Sequence, residues 1–472
     1  MTRSPNILLI VSDEERRNDW MAGKVDLPAH ERLREDGLSF SRYYTHASPC
    51  SPSRASLYTG RYLAHHGVVD NVSFPAHTAL DPSIPTIGSL LGAEGYHSAY
   101  LGKWHLSHDA EPEMSRHGYH DFVGNDRHYT GAAWSGRYFD PIIANDAIEW
   151  LRANHNRPEP WHLTVALVNP HDIMWFPVDH LSYQRRHPAD AETFEFIRKI
   201  RLDGVPVEPV SEDYPQRFDR LPENFDDDLH TKPEIQRAWR HVRNTEHFVG
   251  SIAPDDERAW LRQLDYYAHL HTELDRNLGD LLSCLDELGI YDDTVIAYTS
   301  DHGDACGSHG LRAKLPCVYE EVMGVPLVLK VPGVTNPGST TDALATHVDL
   351  AATMCSLGGV PVDAVTSLDG VDLSAVLADP TETLRGHVLF AQDSAQSELI
   401  RSTRYALRGF FDGRTKYARY YGVGGGVMRD GTRAPTPKLF DVDAAFDDQD
   451  HEWYDLREDP HELNNLAHDR SR

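Results

Sequence analysis

The sequence predicts an α/β protein with a large, mostly parallel central sheet flanked by helices. Short apolar runs predict buried strands at residues 7–12, 97–102, 162–168, 294–300 and 327–331. Amphipathic segments with helical spacing separate these runs along the chain. Strands that alternate with helices in this way are typical of parallel sheets with helices on both faces.

Three of the intervening segments carry helix signals. In residues 260–288, leucine and alanine recur at helical spacing, and Gly289 follows at the position of a C-terminal cap. Residues 85–95 begin with a proline and end with a glycine, which is the usual asymmetry of helix ends. A shorter helix is predicted over residues 51–59 because a glycine follows it directly.

The chain is predicted to divide near residue 375. Residues 1–375 would form the larger α/β domain, and residues 376–472 a smaller C-terminal α+β subdomain packed on it. Within the larger domain, residues 176–257 break the pattern and are rich in proline, acidic residues and arginine. They are either a surface insertion or a lid that shapes substrate specificity. Glycines within residues 422–426 predict a flexible turn.

The overall charge of the chain disfavours some classes of binding partner. The chain has 45 basic and 73 acidic residues, a formal net charge of −28, which disfavours nucleic acid and anionic membranes as partners. A small anionic substrate needs only a locally basic site. The apolar stretch at residues 7–11 is too short for a signal-peptide core or a membrane span, so we expect a cytoplasmic protein. The five cysteines have no CxxC spacing, which argues against a disulfide framework or a zinc ribbon.

Acidic residues follow two of the predicted strands at the end where an α/β sheet binds ligands. Asp13 and Glu14 follow the first strand, and Asp301 and His302 follow the strand at residues 294–300. Carboxylates and an imidazole at neighbouring strand ends predict a site for a divalent ion such as Ca²⁺, Mg²⁺ or Mn²⁺. A helix-capping role is the alternative for Asp13 alone, and the second pair, an aspartate with a histidine, favours metal.

Cationic and donor side chains form a second group. Two of the predicted strands are followed by members of this group, and the full set is Arg54, Lys103, His105, His171 and Lys314. In an acidic chain, such a cluster predicts a local pocket for an oxyanion. The alternative for each member is a solvated surface charge or a histidine of the core.

Cys50 stands directly before the predicted helix at residues 51–59. The start of a helix presents unpaired N–H groups and the positive end of the dipole, which favours an anionic nucleophile. The residues alone leave two interpretations open. Cys50 is either the thiolate nucleophile of a cysteine hydrolase or a buried structural cysteine.

Five segments of the chain carry motifs that together resemble those of one protein family. They are residues 50–61, which begin Cys-Ser-Pro-Ser-Arg, residues 95–105, which end Gly-Lys-Trp-His, residues 300–303 (Ser-Asp-His-Gly), residues 453–462 and residues 465–467. With these motifs the chain resembles, over residues 5–467, the type I or formylglycine-dependent sulfatases of the alkaline-phosphatase-like superfamily. The resemblance implies a sulfuric ester hydrolase that converts a small-molecule sulfate monoester to an alcohol and inorganic sulfate.

The resemblance also implies a nucleophile and a metal site. Cys50 would be oxidised to formylglycine by a separate formylglycine-generating maturation enzyme, and the hydrated aldehyde would attack sulfur to give a covalent sulfate ester. Asp13, Glu14, Asp301 and His302 would hold one divalent metal together with the modified Cys50. Ca²⁺ is favoured, with Mn²⁺ or Mg²⁺ as alternatives.

The same resemblance implies roles for the cations. Lys103 and Lys314 would bind the sulfate oxygens, and His171 would protonate or stabilise the leaving oxygen. Arg54 would stabilise the ionised hydroxyl of the hydrate. His105 would position that hydrate or drive its collapse.

Three positions bear on the branch of the family. Glu14 stands where most sulfatases have a second aspartate, and Asn71 matches a substrate-site asparagine used near the metal in some relatives. His302 replaces the asparagine of some arylsulfatases and also occurs in phosphonate monoester hydrolases and phosphodiesterases with the same nucleophile. Hydrolysis of a phosphonate monoester or a phosphodiester is therefore an alternative function, but Lys103 and His105 favour the sulfatase.

A protein of another class is the remaining alternative. The fold could be kept by a non-catalytic, anion-binding pseudo-sulfatase, but the intact set of charged site residues argues against that function. The motifs are compatible with aryl, alkyl, choline or carbohydrate sulfates as substrate, and with a monomer or an oligomer.

Overall fold

A sheet of eight strands lies at the centre of the fold. The computed structural model describes residues 4–73, 77–109, 112–124, 131, 134–202, 204–206, 208–245, 249–394, 403–422 and 444–467. The strands of the main sheet are β1 (Asn6–Asp13), β2 (Leu38–Phe40), β4 (His97–Gly102), β5 (Asp121–Val123), β6 (Trp161–Pro170), β7 (Thr294–Ser300), β8 (Leu327–Lys330) and β9 (Ser339–Thr341). The short strands β3 (Tyr43–Tyr44) and β10 (Ala345–Thr346) pair separately.

The middle of the main sheet is parallel. Its order is β5-β4-β6-β1-β7-β8-β2-β9, and each neighbouring pair from β5 to β7 runs parallel. β8 runs antiparallel to both β7 and β2. All five predicted strands are observed, and the predicted α/β class with a mostly parallel sheet is confirmed. Because β1, β4, β6 and β7 are parallel, the residues that follow them meet at one edge of the sheet.

Helices cover both faces of the sheet because alternate side chains of a strand point to opposite faces. Leu8 and Ile10 of β1 pack in the apolar cluster of the long helix Glu257–Glu287. Leu9 and Val11 pack in the opposite cluster, with the helix Cys50–Thr59. The side chains of β1 are buried on both faces of the sheet, and their alternating directions determine which helices they contact.

The predicted helices are present with small shifts at their ends. The helices of the described residues are Pro28–Asp36, Cys50–Thr59, Leu63–His66, Ile87–Ala93, Ser135–Asn154, Leu181–Arg186, Pro188–Arg201, Glu234–Arg243, Glu257–Glu287, Glu320–Met323, His347–Leu357, Val362–Val365 and Ser374–Ala378. The helix predicted at residues 51–59 begins one residue earlier, at Cys50, and ends at Gly60 in a left-handed cap. In the part of the chain described here, no helix combines the length and the apolar composition needed to cross a membrane.

The insertion at residues 176–257 contains helices that the sequence did not predict. Pro188–Arg201 and Glu234–Arg243 are helical, and the second buries Ile235, Trp239 and Val242 along one stripe. Charged residues occupy most of the other positions of Glu234–Arg243, and Pro188–Arg201 also exposes Phe196, so neither segment shows a clear apolar period in the sequence. Whether this insertion acts as a lid stays a prediction.

A second, smaller sheet follows the main domain. Strands β11 (Val388–Gln392), β12 (Ala406–Phe411), β13 (Thr415–Tyr421) and β14 (Asp450–Asp455) form an antiparallel meander. This sheet confirms the predicted smaller C-terminal subdomain. The predicted turn at residues 422–426 lies, apart from Gly422, outside the described residues.

Candidate active site

Four buried side chains converge at the carboxyl edge of the main sheet. Ligand atoms of Asp13, Cys50, Asp301 and His302 all lie within 4.8 Å of one another. The Cys50 Sγ atom is 3.2 Å from His302 Nε2 and 3.7 Å from an Asp13 oxygen. Two carboxylates and an imidazole around one point are the donor set that a divalent ion prefers. These four residues, which the sequence analysis proposed as metal ligands, therefore lie in one cluster.

Arg54 holds the two aspartates of that cluster in place. Its Nε donates to Asp301 Oδ2 at 2.9 Å and a terminal nitrogen donates to Asp13 Oδ2 at 2.8 Å. The other terminal nitrogen donates to the carbonyl oxygen of Lys103 at 2.8 Å. Arg54 is on the same helix as Cys50, four residues on, so one helical turn separates the guanidinium from the nucleophile position.

Two lysines bring positive charge to Cys50. Lys103 Nζ lies 2.6 Å from Asp13 Oδ2 and 3.8 Å from Cys50 Sγ. Lys314 Nζ lies 3.4 Å from the same sulfur. Burial alone would lower the pKa of Lys314, but the attraction of Cys50, Glu14 and Asp13 outweighs burial and raises it. The ammonium of Lys314 is therefore charged at neutral pH and can bind an oxyanion.

Glu14 belongs to a second group of close donors that shares Asp13 with the four-residue cluster. Its Oε2 accepts a 2.8 Å hydrogen bond from Lys314 and lies 3.5 Å from His171 Nε2. Burial raises the pKa of Glu14 well above its ordinary value, although Lys314 opposes the rise. The second group consists of Asp13, Glu14 and His171. The predicted role of Glu14 as a metal ligand stays a prediction.

His171 points into the site from the end of β6. Its Nε2 is 3.9 Å from Asp13 Oδ1, and its ring lies against Gly131, where a Cβ would approach within 2.2 Å of the ring. Burial lowers the pKa of His171 well below its ordinary value, and Lys314 and Lys103 add to that effect. The imidazole is therefore neutral at pH 7 and can donate an N–H hydrogen bond.

His105 and Asn71 approach the nucleophile through its neighbour, Ser51. The Ser51 hydroxyl donates to the carbonyl oxygen of His105 at 2.5 Å, and the Ser51 N–H donates to Asn71 Oδ1 at 3.0 Å. Asn71 thus caps the start of the nucleophile helix. Burial, Lys103 and Arg54 lower the pKa of His105, so it too is neutral at pH 7. All predicted site residues therefore lie at this edge or beside Ser51.

The environment of Cys50 does not favour a thiolate. Burial raises the pKa of the Cys50 thiol, and Asp13 adds to the rise, although Lys103 and Lys314 oppose it. A thiol whose pKa is raised is a poor nucleophile at neutral pH. This observation counts against the simple cysteine hydrolase.

Sequence reasoning missed a layer of support behind the cluster. His347 Nε2 lies 3.0 Å from the carbonyl oxygen of Ser300, and its Nδ1 lies 3.1 Å from Ser53 Oγ. Ser53 in turn donates to the carbonyl oxygen of Asp301. The residue pattern gave no signal for His347, because its partners are distant in sequence and it begins an ordinary helix. Asp304, a neighbour of Glu14 that raises its pKa, was also missed.

Comparison with known proteins decides the family. The sulfatase family model matches residues 5–360. The chain belongs to the sulfatase family. This sulfatase is 26% identical over 504 residues to the N-acetylglucosamine-6-O-sulfatase of Bacteroides thetaiotaomicron, with 98% of this chain and 83% of the relative covered. It is 28% identical over 485 residues to Homo sapiens arylsulfatase A, with 99% and 84% covered.

A solved structure shares the fold of this sulfatase. The structure of a protein in complex with its substrate D-glucosamine-2-N,6-O-disulfate superposes with a TM-score of 0.72 at 22% identity, covering 99% of this chain and 94% of the other. At that identity the likeness shows the fold alone. The family match and the relatives confirm the predicted family, and they confirm that the enzyme is a sulfuric ester hydrolase.

Proposed function

We propose that this sulfatase hydrolyses an organic sulfate monoester with a formylglycine made from Cys50 and one divalent metal, Ca²⁺ being favoured. The observation that carries the proposal is the position of Cys50 Sγ. That atom lies 3.2 Å from Nε2 of His302, a member of the four-residue cluster, and 3.4 Å from Lys314 Nζ. The nucleophile, the metal donors and the cation that would hold the sulfate group therefore meet at one atom.

The donors fit a hard divalent ion. Asp13, Asp301 and His302 would hold it together with the modified Cys50, and all four side chains are buried. Arg54 neutralises part of the charge of the two aspartates and keeps their oxygens in place. The metal would supply positive charge beside the sulfuryl oxygens, and the hydrated aldehyde would supply a nucleophilic oxygen. A separate formylglycine-generating enzyme would carry out the oxidation of Cys50.

The remaining site residues have roles that follow from their charge and position. Lys314 and Lys103 present ammonium groups to the sulfate oxygens around Cys50 Sγ. The neutral imidazole of His171 can donate a hydrogen bond to the leaving oxygen. The net reaction breaks the bond between sulfur and the alcohol oxygen and forms a bond between sulfur and a water oxygen. The proton lost by water passes to the leaving oxygen.

The alternative substrate is a phosphonate monoester or a phosphodiester, because His302 also occurs in that branch. The test uses protein expressed with a formylglycine-generating enzyme and, as control, the Cys50→Ala variant. Mass spectrometry of the peptide with Cys50 is expected to show the aldehyde. We expect faster turnover of nitrophenyl sulfate than of nitrophenyl phenylphosphonate, and none by the variant. Far faster turnover of the phosphonate would replace the proposal by the alternative, and aldehyde without any turnover would favour a non-catalytic protein.

A further inference from the structure

We propose that Asp140 and Asp172 are positioning residues that orient His171 toward the leaving oxygen. The inference rests on the proposed function, which assigns His171 to that oxygen. Both aspartates would act through the backbone on either side of His171 and not on the substrate itself. Three observations carry the proposal: the His171 ring lacks support of its own, two pairs of hydrogen bonds enclose its backbone, and the enclosed segment is tightly packed.

The ring of His171 has only one nitrogen near polar groups. Its Nδ1 atom is buried and has no hydrogen-bond partner among the residues that the structure describes. Its Nε2 atom faces the site, 3.5 Å from Glu14 and 3.9 Å from Asp13. In functional histidines, a hydrogen bond at one ring nitrogen commonly fixes the state of the other. Without that bond, the direction of the imidazole depends on the backbone that carries it and on its packing against Gly131.

Asp140 holds the end of β6, just before His171. It is a buried residue in the second turn of the helix Ser135–Asn154. One carboxylate oxygen accepts a hydrogen bond from the Val168 N–H at 2.7 Å, and the other accepts from the Asn169 N–H at 2.8 Å. Because hydrogen bonds are directional, a carboxylate that accepts two successive N–H groups fixes the orientation of that stretch of backbone.

Asp172 ties the residue after His171 to the same helix in the opposite sense. Its carboxylate accepts hydrogen bonds from the N–H groups of Gly136 at 3.3 Å and Arg137 at 2.9 Å. The first N–H groups of a helix have no partner within the helix, so the Asp172 carboxylate serves as a cap supplied from another part of the chain. The helix and the end of β6 are therefore joined on both sides of His171.

Close packing limits any shift between the two joined elements. A Cβ atom on Gly136 would lie 2.3 Å from Asn169 Oδ1, which is too close for any residue but glycine. The same Oδ1 atom accepts a 3.4 Å hydrogen bond from the Asp172 N–H. The backbone of residues 168–172 thus has one position against the helix, and that position determines where the His171 imidazole lies.

The test compares Asp140→Ala and Asp172→Ala with His171→Gln, each matured by a formylglycine-generating enzyme. kcat/KM is measured on nitrophenyl sulfate, whose leaving group departs readily as an anion, and on phenyl sulfate, whose leaving group is far more basic. A hydrogen bond or proton given to the leaving oxygen matters most for the more basic group. Misplacement of His171 therefore lowers activity on phenyl sulfate more than on nitrophenyl sulfate, whereas general damage to the fold lowers both alike.

Asp265→Ala is the matched control. Buried Asp265 also accepts two backbone N–H groups, from Arg217 at 2.7 Å and Phe218 at 3.1 Å, within the insertion at residues 176–257. Thermal melts compare the stability of all variants. Where an alanine variant does not fold, the asparagine variant of the same position replaces it, since asparagine keeps one of the two acceptor oxygens.

For Asp140→Ala and Asp172→Ala we expect kcat/KM on phenyl sulfate to fall at least about tenfold more than on nitrophenyl sulfate. His171→Gln should show the same selective loss, and Asp172→Ala should add little to it in that background, because both act through one imidazole. Asp265→Ala should lose stability but keep the wild-type ratio of the two activities. Equal losses on both esters, or a further selective loss in the His171→Gln background, would overturn the inference.

An NMR measurement separates this inference from the proposed function. The Cε1 resonance of His171 is identified by its absence from His171→Gln. It should shift in Asp140→Ala and Asp172→Ala and stay in place in Asp265→Ala, because only the first two changes release the backbone of His171. If the wild type hydrolyses neither ester, the proposed function fails, and this resonance alone decides whether the two aspartates place His171. A resonance unchanged in both variants would then overturn the inference.

Discussion

The Lys416 ammonium donates a 2.6 Å hydrogen bond to the Glu320 carboxylate and joins β13 of the small sheet to the main domain. Lys416 also lies 2.8 Å from Glu462, and Arg17 donates to the other oxygen of Glu320. Burial alone would lower the pKa of Lys416, but Glu320 and Glu462 outweigh burial and raise it. A charged ammonium therefore lies between the buried side chains of Glu320 and Glu462, where the two parts of the molecule meet.

We expect the Lys416→Met variant to lower the free energy of unfolding by about 3–5 kcal/mol, because it leaves buried Glu462 without its cation and buried Glu320 with Arg17 alone. Urea denaturation of wild type and variant measures the difference. Arg414→Ala serves as a control, since Arg414 pairs with Asp455 on the surface and such pairs contribute little. If Lys416→Met destabilises the fold no more than Arg414→Ala, the buried cluster does not hold the small sheet in place.

His30 predicts a pH-dependent contribution to stability. Its Nδ1 lies 2.6 Å from Asp275, and its Nε2 lies 3.5 Å from Glu15 and 2.8 Å from the Tyr298 hydroxyl. Burial alone would lower the pKa of His30, but hydrogen bonds with Asp275 and Glu15 outweigh it and raise the pKa from 6.5 to about 8. Protonated His30 thus stabilises the fold fully below pH 6.5, and this contribution disappears as the pH rises through about 8.

The size of that contribution is about 2 kcal/mol for the stated rise in pKa. Wild type and His30→Gln are compared by denaturation at pH values of about 6 and about 9. The difference in their free energies of unfolding should be larger at the lower pH by about that amount. An equal difference at both pH values would show that His30 is not protonated in the folded protein.

Much of the site was predictable because parallel strands bring their carboxyl ends to one edge. Asp13, Lys103, His171 and Asp301 each follow a strand that its apolar run reveals. Lys314 lies in the long connection between β7 and β8, so no strand end predicts its position, and the resemblance to sulfatases assigned it to the sulfate oxygens. The local sequence therefore predicts which residues follow a strand at this edge of the sheet. It does not predict where residues of the long connections, such as Lys314, are placed.

The features that sequence did not predict depend on contacts between distant residues. The backbone of Glu14 is held by Tyr267, which lies more than 250 positions away. His347 meets Ser53 only because two helices pack together on one face of the sheet. The helix Glu234–Arg243 is charged on most of its surface, so its apolar stripe becomes evident only from its packing.

Arg54 provides a prediction about the geometry of the cluster. The Arg54→Lys variant should reduce kcat at least about a hundredfold, because a lysine cannot make the three directed hydrogen bonds to Asp13, Asp301 and the Lys103 carbonyl. Affinity for Ca²⁺ should also fall, since the two aspartates lose their common support. Arg61→Lys, a partly exposed position just after the same helix, is the control and should keep full activity. Activity of Arg54→Lys close to that of Arg61→Lys would contradict the assignment.

Chelation and alkylation separate the sulfatase mechanism from thiol chemistry at Cys50. Prolonged treatment of the matured enzyme with a chelator should abolish hydrolysis of nitrophenyl sulfate, and Ca²⁺ should restore it, because Asp13, Asp301 and His302 would lose the ion that they surround. Iodoacetamide should leave the activity unchanged, since the matured residue has no thiol and the other four cysteines are buried. The Cys50→Ser variant should be inactive in every condition. Activity that survives chelation and disappears on alkylation would instead assign the reaction to a thiolate of Cys50.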